Sequence, residues 1–307
     1  MDIATPIMIN TEEKRANWDT LWPAPAKINR FLHIIGQRED GYHLLQSVFQ
    51  FIDFSDQLRF EARSDNKIII IPDIPGVSNQ GNLIYQAADC LRQKAQINPG
   101  VTIYLEKNLP LGAGLGGGSS DAATTLLALN YLWGLNYSQQ QLAELGLKLG
   151  ADIPFFIYGE NALIEGIGEK ITPISIDTPV LLLQIPNCSI STQNIFQAAE
   201  LKRNTPEITL NELASKQDNT SKIITLEDFG HNDCEIIVRQ KFPQVNKAIS
   251  WIYDIKPARL TGTGACVFSM FDNSEEAGKI ALRCPDSIKC LVTKSLRQSP
   301  IKRLTGQ

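Results

Sequence analysis

Residues 110–123 read Pro110-Leu-Gly-Ala-Gly-Leu-Gly-Gly-Gly-Ser-Ser-Asp-Ala-Ala123, and the reading of this stretch decides the fold. Five glycines fall within seven residues: Gly112, Gly114, Gly116, Gly117 and Gly118. So many glycines cost backbone entropy and add nothing to a core; their use is to let a ligand come close to backbone N–H groups. Upstream, Val101, Ile103 and Leu105 alternate with Thr102, Tyr104 and Glu106, which is the pattern of a half-buried strand. Downstream, Ala122, Ala123, Leu126, Leu129, Leu132 and Trp133 keep helical spacing in a helix expected from Ser119. A glycine run held between a strand and a helix N-terminus offers unpaired donors and a partial positive charge, the makings of a phosphate cradle. A flexible linker is seldom squeezed between two such clean elements. Gly112, Gly114 and Gly117 do spell the dinucleotide fingerprint GxGxxG, but a Rossmann unit needs an apolar parallel strand after the helix. The next element is instead a second helix, with Ser138 as N-cap, Gln141 closing a capping box and Gly150 as its stop. No Gly-Lys-Ser or Gly-Lys-Thr ends the run, which excludes a Walker loop. A triphosphate loop of another type remains.

Outward from the loop, Ile28–Ile35 and Ser47–Phe54 predict a hairpin-like strand pair around the turn Arg38-Glu39-Asp40-Gly41. Ile68–Ile71 reads as a short strand, and a helix runs from Asn82 to about Ala95, stopped by Asn98-Pro99-Gly100. In the later half, strands are expected at Val180–Ile185, in a strand–turn–strand over Ala258–Phe271, and at Ile288–Thr293. Helices are expected at Thr192–Leu201, Glu235–Tyr253 and Ser274–Leu282, with a polar stretch at Arg203–Ser221. Strands and helices that mix without strict alternation predict an α+β fold. Pro173 and Pro179 bracket a seam near residue 174, giving a loose leader at 1–20 and domains at 21–174 and 175–307.

Two domains suit a chain of 307 residues, and 43% apolar with 20% charged residues is an ordinary globular composition that excludes disorder. Lys and Arg number 29 against 33 Asp and Glu, so a net charge of −4 gives no footprint for nucleic acid. No apolar run reaches the roughly 18 residues of a membrane span. The opening residues lack the basic start and apolar middle of a signal peptide. The six cysteines form no CxxC pair and the three histidines show no zinc-ligand spacing. The expectation is a cytoplasmic protein with reduced, mostly buried thiols.

Three motifs in order resemble those of the GHMP small-molecule kinases, the group of galactokinase, homoserine kinase and mevalonate kinase. They are Pro25-Ala-Lys27-Ile-Asn29, the loop Pro110–Ala123, and Leu260-Thr-Gly262-Thr-Gly264-Ala-Cys-Val-Phe268. Gly36-Gln-Arg-Glu-Asp-Gly41-Tyr42-His43 and Leu149-Gly-Ala-Asp152-Ile-Pro154-Phe155 are similar to a branch that acts on a cytidine-diphosphate-linked polyol. The resemblance implies a two-domain α+β fold with a ribosomal-protein-S5-like ATP domain followed by a ferredoxin-like domain. It implies ATP and Mg2+, a small-molecule substrate, and neither nucleic acid nor membrane as partner.

The same resemblance implies the site residues. Lys27 and Asp152 are the catalytic pair. Pro110, Leu111, Gly112, Ala113, Gly114, Leu115, Gly116, Gly117, Gly118, Ser119 and Ser120 hold the nucleotide. Tyr42 and Phe196 sandwich a cytosine while His43 bonds its edge, and Asn29 and Thr192 hold the polyol diphosphate. Pro154 biases Ile153 toward extended backbone, which predicts a stiff turn at Asp152. Lys107 is either a nucleotide contact or a solvated strand end. No acidic cluster declares itself for Mg2+, for which Ser120 is a conceivable contact. The alternatives are a mevalonate- or homoserine-type kinase, and a catalytically silent sensor on the same fold.

Overall fold

The computed structural model describes residues 16–73, 76–217, 223–226 and 229–305. Two long strands, β1 (Trp22–Gln37) and β2 (His43–Arg63), pair antiparallel along their length. Three register shifts break β1 between Pro25 and Lys27, Asn29 and Leu32, and Ile34 and Gly36. Such bulges re-aim side chains next to sites. The other edge of β2 is shared. Its far half pairs with β4 (Gly100–Glu106), which lies parallel to β3 (Ile68–Ile71). Its near half pairs with β5 (Ala162–Glu165), which pairs in turn with β6 (Lys170–Pro173).

Four helices belong to this first sheet: α1 (Leu83–Ala95), α2 (Gly117–Leu132), α3 (Gln139–Leu147) and α4 (Ile153–Tyr158). Side chains of α2 are buried without a break from Ser120 to Asn130. A helix that is apolar around its girth belongs inside a core, and α2 lies in the first core with Trp22, Phe60 and Phe155.

After β7 (Val180–Pro186) come α5 (Thr192–Phe196), α6 (Leu210–Ala214), α7 (Glu235–Lys241) and α8 (Pro243–Tyr253). The hairpin β8 (Ala258–Leu260) with β9 (Val267–Phe271), then α9 (Ser274–Ala281) and β10 (Ile288–Lys294), complete a second sheet. Its order β10-β7-β9-β8, antiparallel throughout, is the ferredoxin-like arrangement. A shared core joins the sheets: Ala26, Ile28 and Ile52 meet Leu109 and Leu115 of the glycine loop and Leu183 and Phe268 of the second sheet. The tail then returns to the first core, with α10 (Lys302–Thr305) at its end. Asn161 anchors it, accepting from the Phe51 N–H at 2.9 Å and donating to the Leu296 carbonyl at 2.8 Å.

Several expectations are corrected. The helix after the loop starts at Gly117 rather than Ser119, with Gly116 as N-cap. Ile153 is helical, because a proline in the first turn of a helix loses no hydrogen bond. The predicted 235–253 helix is broken where Phe242 turns extended before Pro243, as the residue preceding a proline prefers. The 192–201 helix ends at Phe196. Strands β5 and β6 have no counterpart among the expected elements. Cys284 and Cys290, expected as free thiols, are bonded across the turn that joins α9 to β10, where the chain reverses and brings them face to face. Residues 1–15 of the expected leader lie outside the described residues; Ala16 is buried and Trp18 packs against the first core. Among the described residues, no helix is long and apolar enough to cross a membrane.

Candidate active site

The three motifs meet where the shared core reaches the surface. The Lys27 N–H donates to the Leu115 carbonyl at 3.0 Å. The Asn29 N–H donates to Thr261 Oγ1 at 3.0 Å, and Thr261 Oγ1 donates to the Gly114 carbonyl at 3.3 Å. The Cys266 N–H closes the circuit onto the Ala113 carbonyl at 3.1 Å. Gly114 has φ +75°, and a Cβ there would drive into the Thr261 carbonyl oxygen. Gly116 has φ +72°, and its Cβ would lie 2.8 Å from the Phe156 ring and 3.2 Å from Lys27 Cγ. Both positions demand glycine for backbone conformation and for space.

The resulting cleft has a volume of about 330 Å³. Residues Pro110 to Ser119 line it without interruption, as do Lys27, Asn29, Lys107, Asp152, Thr192 and Phe196. The first N–H groups of α2 are left unpaired by any side-chain cap, so the cleft's floor is rich in donors and lies at a positive helix end. Ser120 is the one member of the predicted nucleotide loop that does not reach the cleft. It is fully buried and its hydroxyl donates to the Pro25 carbonyl at 2.7 Å, tying α2 to β1. Thr192, at the start of α5, shares a hydrogen bond of 2.9 Å with Thr263 of the third motif.

Lys27 is buried, its Nζ 2.7 Å from Asn29 Oδ1, 3.6 Å from Asp152 Oδ2 and 4.1 Å above the Phe49 ring. Burial lowers its pKa, and the Asp152 carboxylate opposes that shift. Asp152 caps α4 without using its side chain, which remains one-third exposed at 33%. The ion pair with the buried ammonium holds the Asp152 carboxylate in one orientation.

Lys107, uncertain in the sequence, is no solvated strand end. Its ammonium bridges Asp56 and Asp121, the latter at 3.1 Å, and sits 3.0 Å from where a Gly117 Cβ would be. Asp56 also accepts the N–H groups of Asn108 and Leu109 at 2.6 and 2.8 Å, fixing the backbone that enters the loop. Burial pushes the Asp121 carboxyl pKa up against the pull of Lys107. Neither carboxylate stands out in the sequence, where Asp56 is one more acidic residue after a strand and Asp121 one more polar helix start.

A second cleft, of about 500 Å³, opens beside the first and shares Leu45 and Phe196 with it. Tyr42 and His43 line it with Gln193 and Gln197. Tyr42 is presented by a tight turn and is 61% exposed, while the His43 and Phe196 rings lie 5.2 Å apart at 38°. The predicted residues thus divide into two groups, Tyr42 and His43 in one cleft, the glycine loop with Lys27, Asn29, Asp152 and Thr192 in the other, and Phe196 between them. Among the described residues, no cluster of three or more His, Cys, Asp or Glu could hold a metal.

Most of the chain is similar to known proteins. Residues 82–160 match the GHMP kinases N-terminal domain and residues 210–289 the GHMP kinases C-terminal domain. A 4-diphosphocytidyl-2-C-methyl-D-erythritol kinase of Psychromonas ingrahamii is 47% identical over 283 residues, covering 92% of this chain and 95% of that protein. The chain belongs to the GHMP kinases. A kinase of the same description from Dechloromonas aromatica is 46% identical over 286 residues, 93% of this chain and 100% of that protein. Among solved structures, a 4-(cytidine 5'-diphospho)-2C-methyl-D-erythritol kinase superposes with TM-score 0.76 at 27% identity, over 90% of this chain and 99% of that one. A mevalonate kinase at 15% identity shares the fold alone, with TM-score 0.64 over 92% of this chain and 100% of that one. As a GHMP kinase the chain is an ATP-dependent phosphotransferase.

Proposed function

We propose that this GHMP kinase transfers the γ-phosphoryl group of ATP to the 2-hydroxyl of 4-diphosphocytidyl-2-C-methyl-D-erythritol, in the non-mevalonate route to isoprenoid precursors. One observation carries the reading: a donor-rich phosphate cleft holding Lys27 and Asp152 is joined, through Phe196, to an aromatic and imidazole cleft large enough for a base. Substrates of the mevalonate and homoserine kinases have no base to fill the second cleft.

ATP lies along Pro110–Ser119 with its phosphates on the N–H groups of the loop and of α2. Asp152 accepts the proton of the substrate hydroxyl as its oxygen bonds the γ-phosphorus and the bond to the ADP oxygen breaks. Lys27 pairs with the Asp152 carboxylate, fixing its direction, and orients the hydroxyl. Asn29 and Thr192 hold the diphosphate, while Tyr42 and Phe196 stack on cytosine and His43 bonds its edge. The donor set suits Mg2+, which takes one or two protein oxygens and leaves the rest to phosphates and water. The Ser119 hydroxyl in the cleft, rather than the buried Ser120, would hold it beside the nucleotide. When bound, the ion neutralises phosphate charge. The protein acts on its own small-molecule substrate in the cytoplasm, without nucleic acid or membrane as partner.

The test is ADP release with Mg·ATP in the presence, separately, of 4-diphosphocytidyl-2-C-methyl-D-erythritol, methylerythritol phosphate, mevalonate and homoserine. Turnover with the first alone is expected. Turnover with another alcohol discards the base cleft, and ATP binding without turnover on any of the four favours a sensor.

A further inference from the structure

Arg203 makes a contact in the second cleft that the ring pair alone does not require. Half-buried behind His43, its guanidinium donates from Nε to His43 Nε2 at 2.9 Å and from Nη1 to the Leu201 carbonyl at 2.9 Å. From Nη2 it donates to the Phe196 carbonyl at 3.2 Å and the Ala198 carbonyl at 2.8 Å. These carbonyls lie at and beyond the end of α5, where a helix runs out of partners and welcomes a cation. The stretch carrying Arg203 is itself fastened to β1, through the Thr205 N–H and the Ile34 carbonyl at 3.1 Å. One guanidinium thereby joins the helix that carries Phe196 to the strand that carries His43.

The bond to His43 also fixes a proton. A guanidinium has five N–H groups and no lone pair, so His43 Nε2 must be the acceptor. In a neutral imidazole the proton then resides on Nδ1. Burial and, after it, the Arg203 charge lower the His43 pKa, which favours the neutral ring. Among the described residues, no protein group bonds Nδ1.

We infer that Arg203 is a positioning residue that locks His43 as the Nδ1–H tautomer, a fixed hydrogen-bond donor for an acceptor atom on the edge of a nucleobase such as a pyrimidine ring carbonyl. The inference rests on the reading of the second cleft as a base site. Its test uses the whole protein and CDP as probe. Nitrogen-15 NMR resolves three histidines, His33, His43 and His231, and a His43→Asn variant assigns the middle one. The expected spectrum shows protonated Nδ1 and unprotonated Nε2 on His43, converting toward the Nε2–H form in Arg203→Met. That variant should weaken CDP binding and raise KM for the nucleotide-linked alcohol roughly tenfold, the scale of one hydrogen bond, with kcat and the KM for ATP nearly unchanged. In a His43→Asn background, adding Arg203→Met should cost less than about twofold, because coupling between contacting residues is lost once one is replaced.

An Nε2–H tautomer in the unaltered protein overturns the proposal. So does an undiminished tenfold loss in the His43→Asn background, which would assign Arg203 to the helix end alone. Should Arg203→Met fail to fold, Arg203→Lys is read by the same spectrum and the same cycle. An Nδ1–H tautomer in a protein that binds no CDP overturns the nucleobase reading and leaves the lock itself standing.

Discussion

The two clefts share a wall and differ in material. The phosphate cleft is made largely of backbone: ten consecutive residues, Pro110 to Ser119, line it, and among them Gly114 and Gly116 are required by φ and by close approach to Thr261, Phe156 and Lys27. The base cleft is made of side chains from stretches far apart in the chain, Tyr42 and His43 on one side, Gln193 and Phe196 on the other, with Arg203 behind. A backbone site writes itself into the sequence as an unusual composition. A side-chain site leaves only ordinary residues, and their meeting depends on the packing of everything between.

Substitutions sharpen the contrast, because damage to the first cleft should reach the chemistry and damage to the second should reach only the affinity for one substrate. Asp152→Asn and Lys27→Ala are expected to lower turnover by about 10²-fold or more while circular dichroism stays native, the scale for a positioned acid–base group. Wild-type turnover in a folded Asp152→Asn protein would remove the base from the proposed mechanism. Gly114→Ala imposes left-handed strain and a clash with Thr261. Strain of about 1–3 kcal/mol predicts a rise in the KM for ATP of roughly ten- to a hundredfold. Phe196→Ala should raise KM for the nucleotide-linked alcohol about tenfold, in keeping with a stacking contribution of ~1–3 kcal/mol, and leave the KM for ATP alone. An equal effect on both substrates would mean that the shared wall cannot be divided.

The smallest effect is expected outside both clefts. His33 is buried against His231, and burial first, then that neighbour and Lys202, hold its pKa down at about 4 against the opposing Asp233. The folded protein therefore lacks a proton that the unfolded chain binds below a pKa of ~6.5. Stability should be intact above that pH and decline as pH falls toward about 4, where folded His33 protonates too. A thermal midpoint measured across this window should fall less steeply in His33→Phe, with turnover at neutral pH retained.

Much of the fold was legible because its signals are local. The Ser138–Gln141 capping box forms as the sequence predicts, and so does the strand from Val101 that leads into the loop. Strands β5 and β6 escaped because four residues are too few for a period, and Ala162–Glu165 becomes a strand only by pairing with β2. Asp56 and Asp121 escaped for a related reason. They matter because β2 and α2 bring them to Lys107 from 51 and 14 residues away, which no short window contains. Arg203 lies in a polar stretch with no periodicity at all, and its contact to His43 spans 160 residues.

The returning tail has a consequence for how the molecule is made. Leu296, Ile301 and Leu304 belong to the first core, yet they follow the last strand of the second sheet. A ribosome therefore delivers the closing pieces of the earlier half only after the later half has left it. Until then Phe51 offers its N–H to Asn161 but lacks the Leu296 N–H for its carbonyl, and the first core stays open along that edge. Order of synthesis and order of packing cross, so the first half is finished only when the second has been translated.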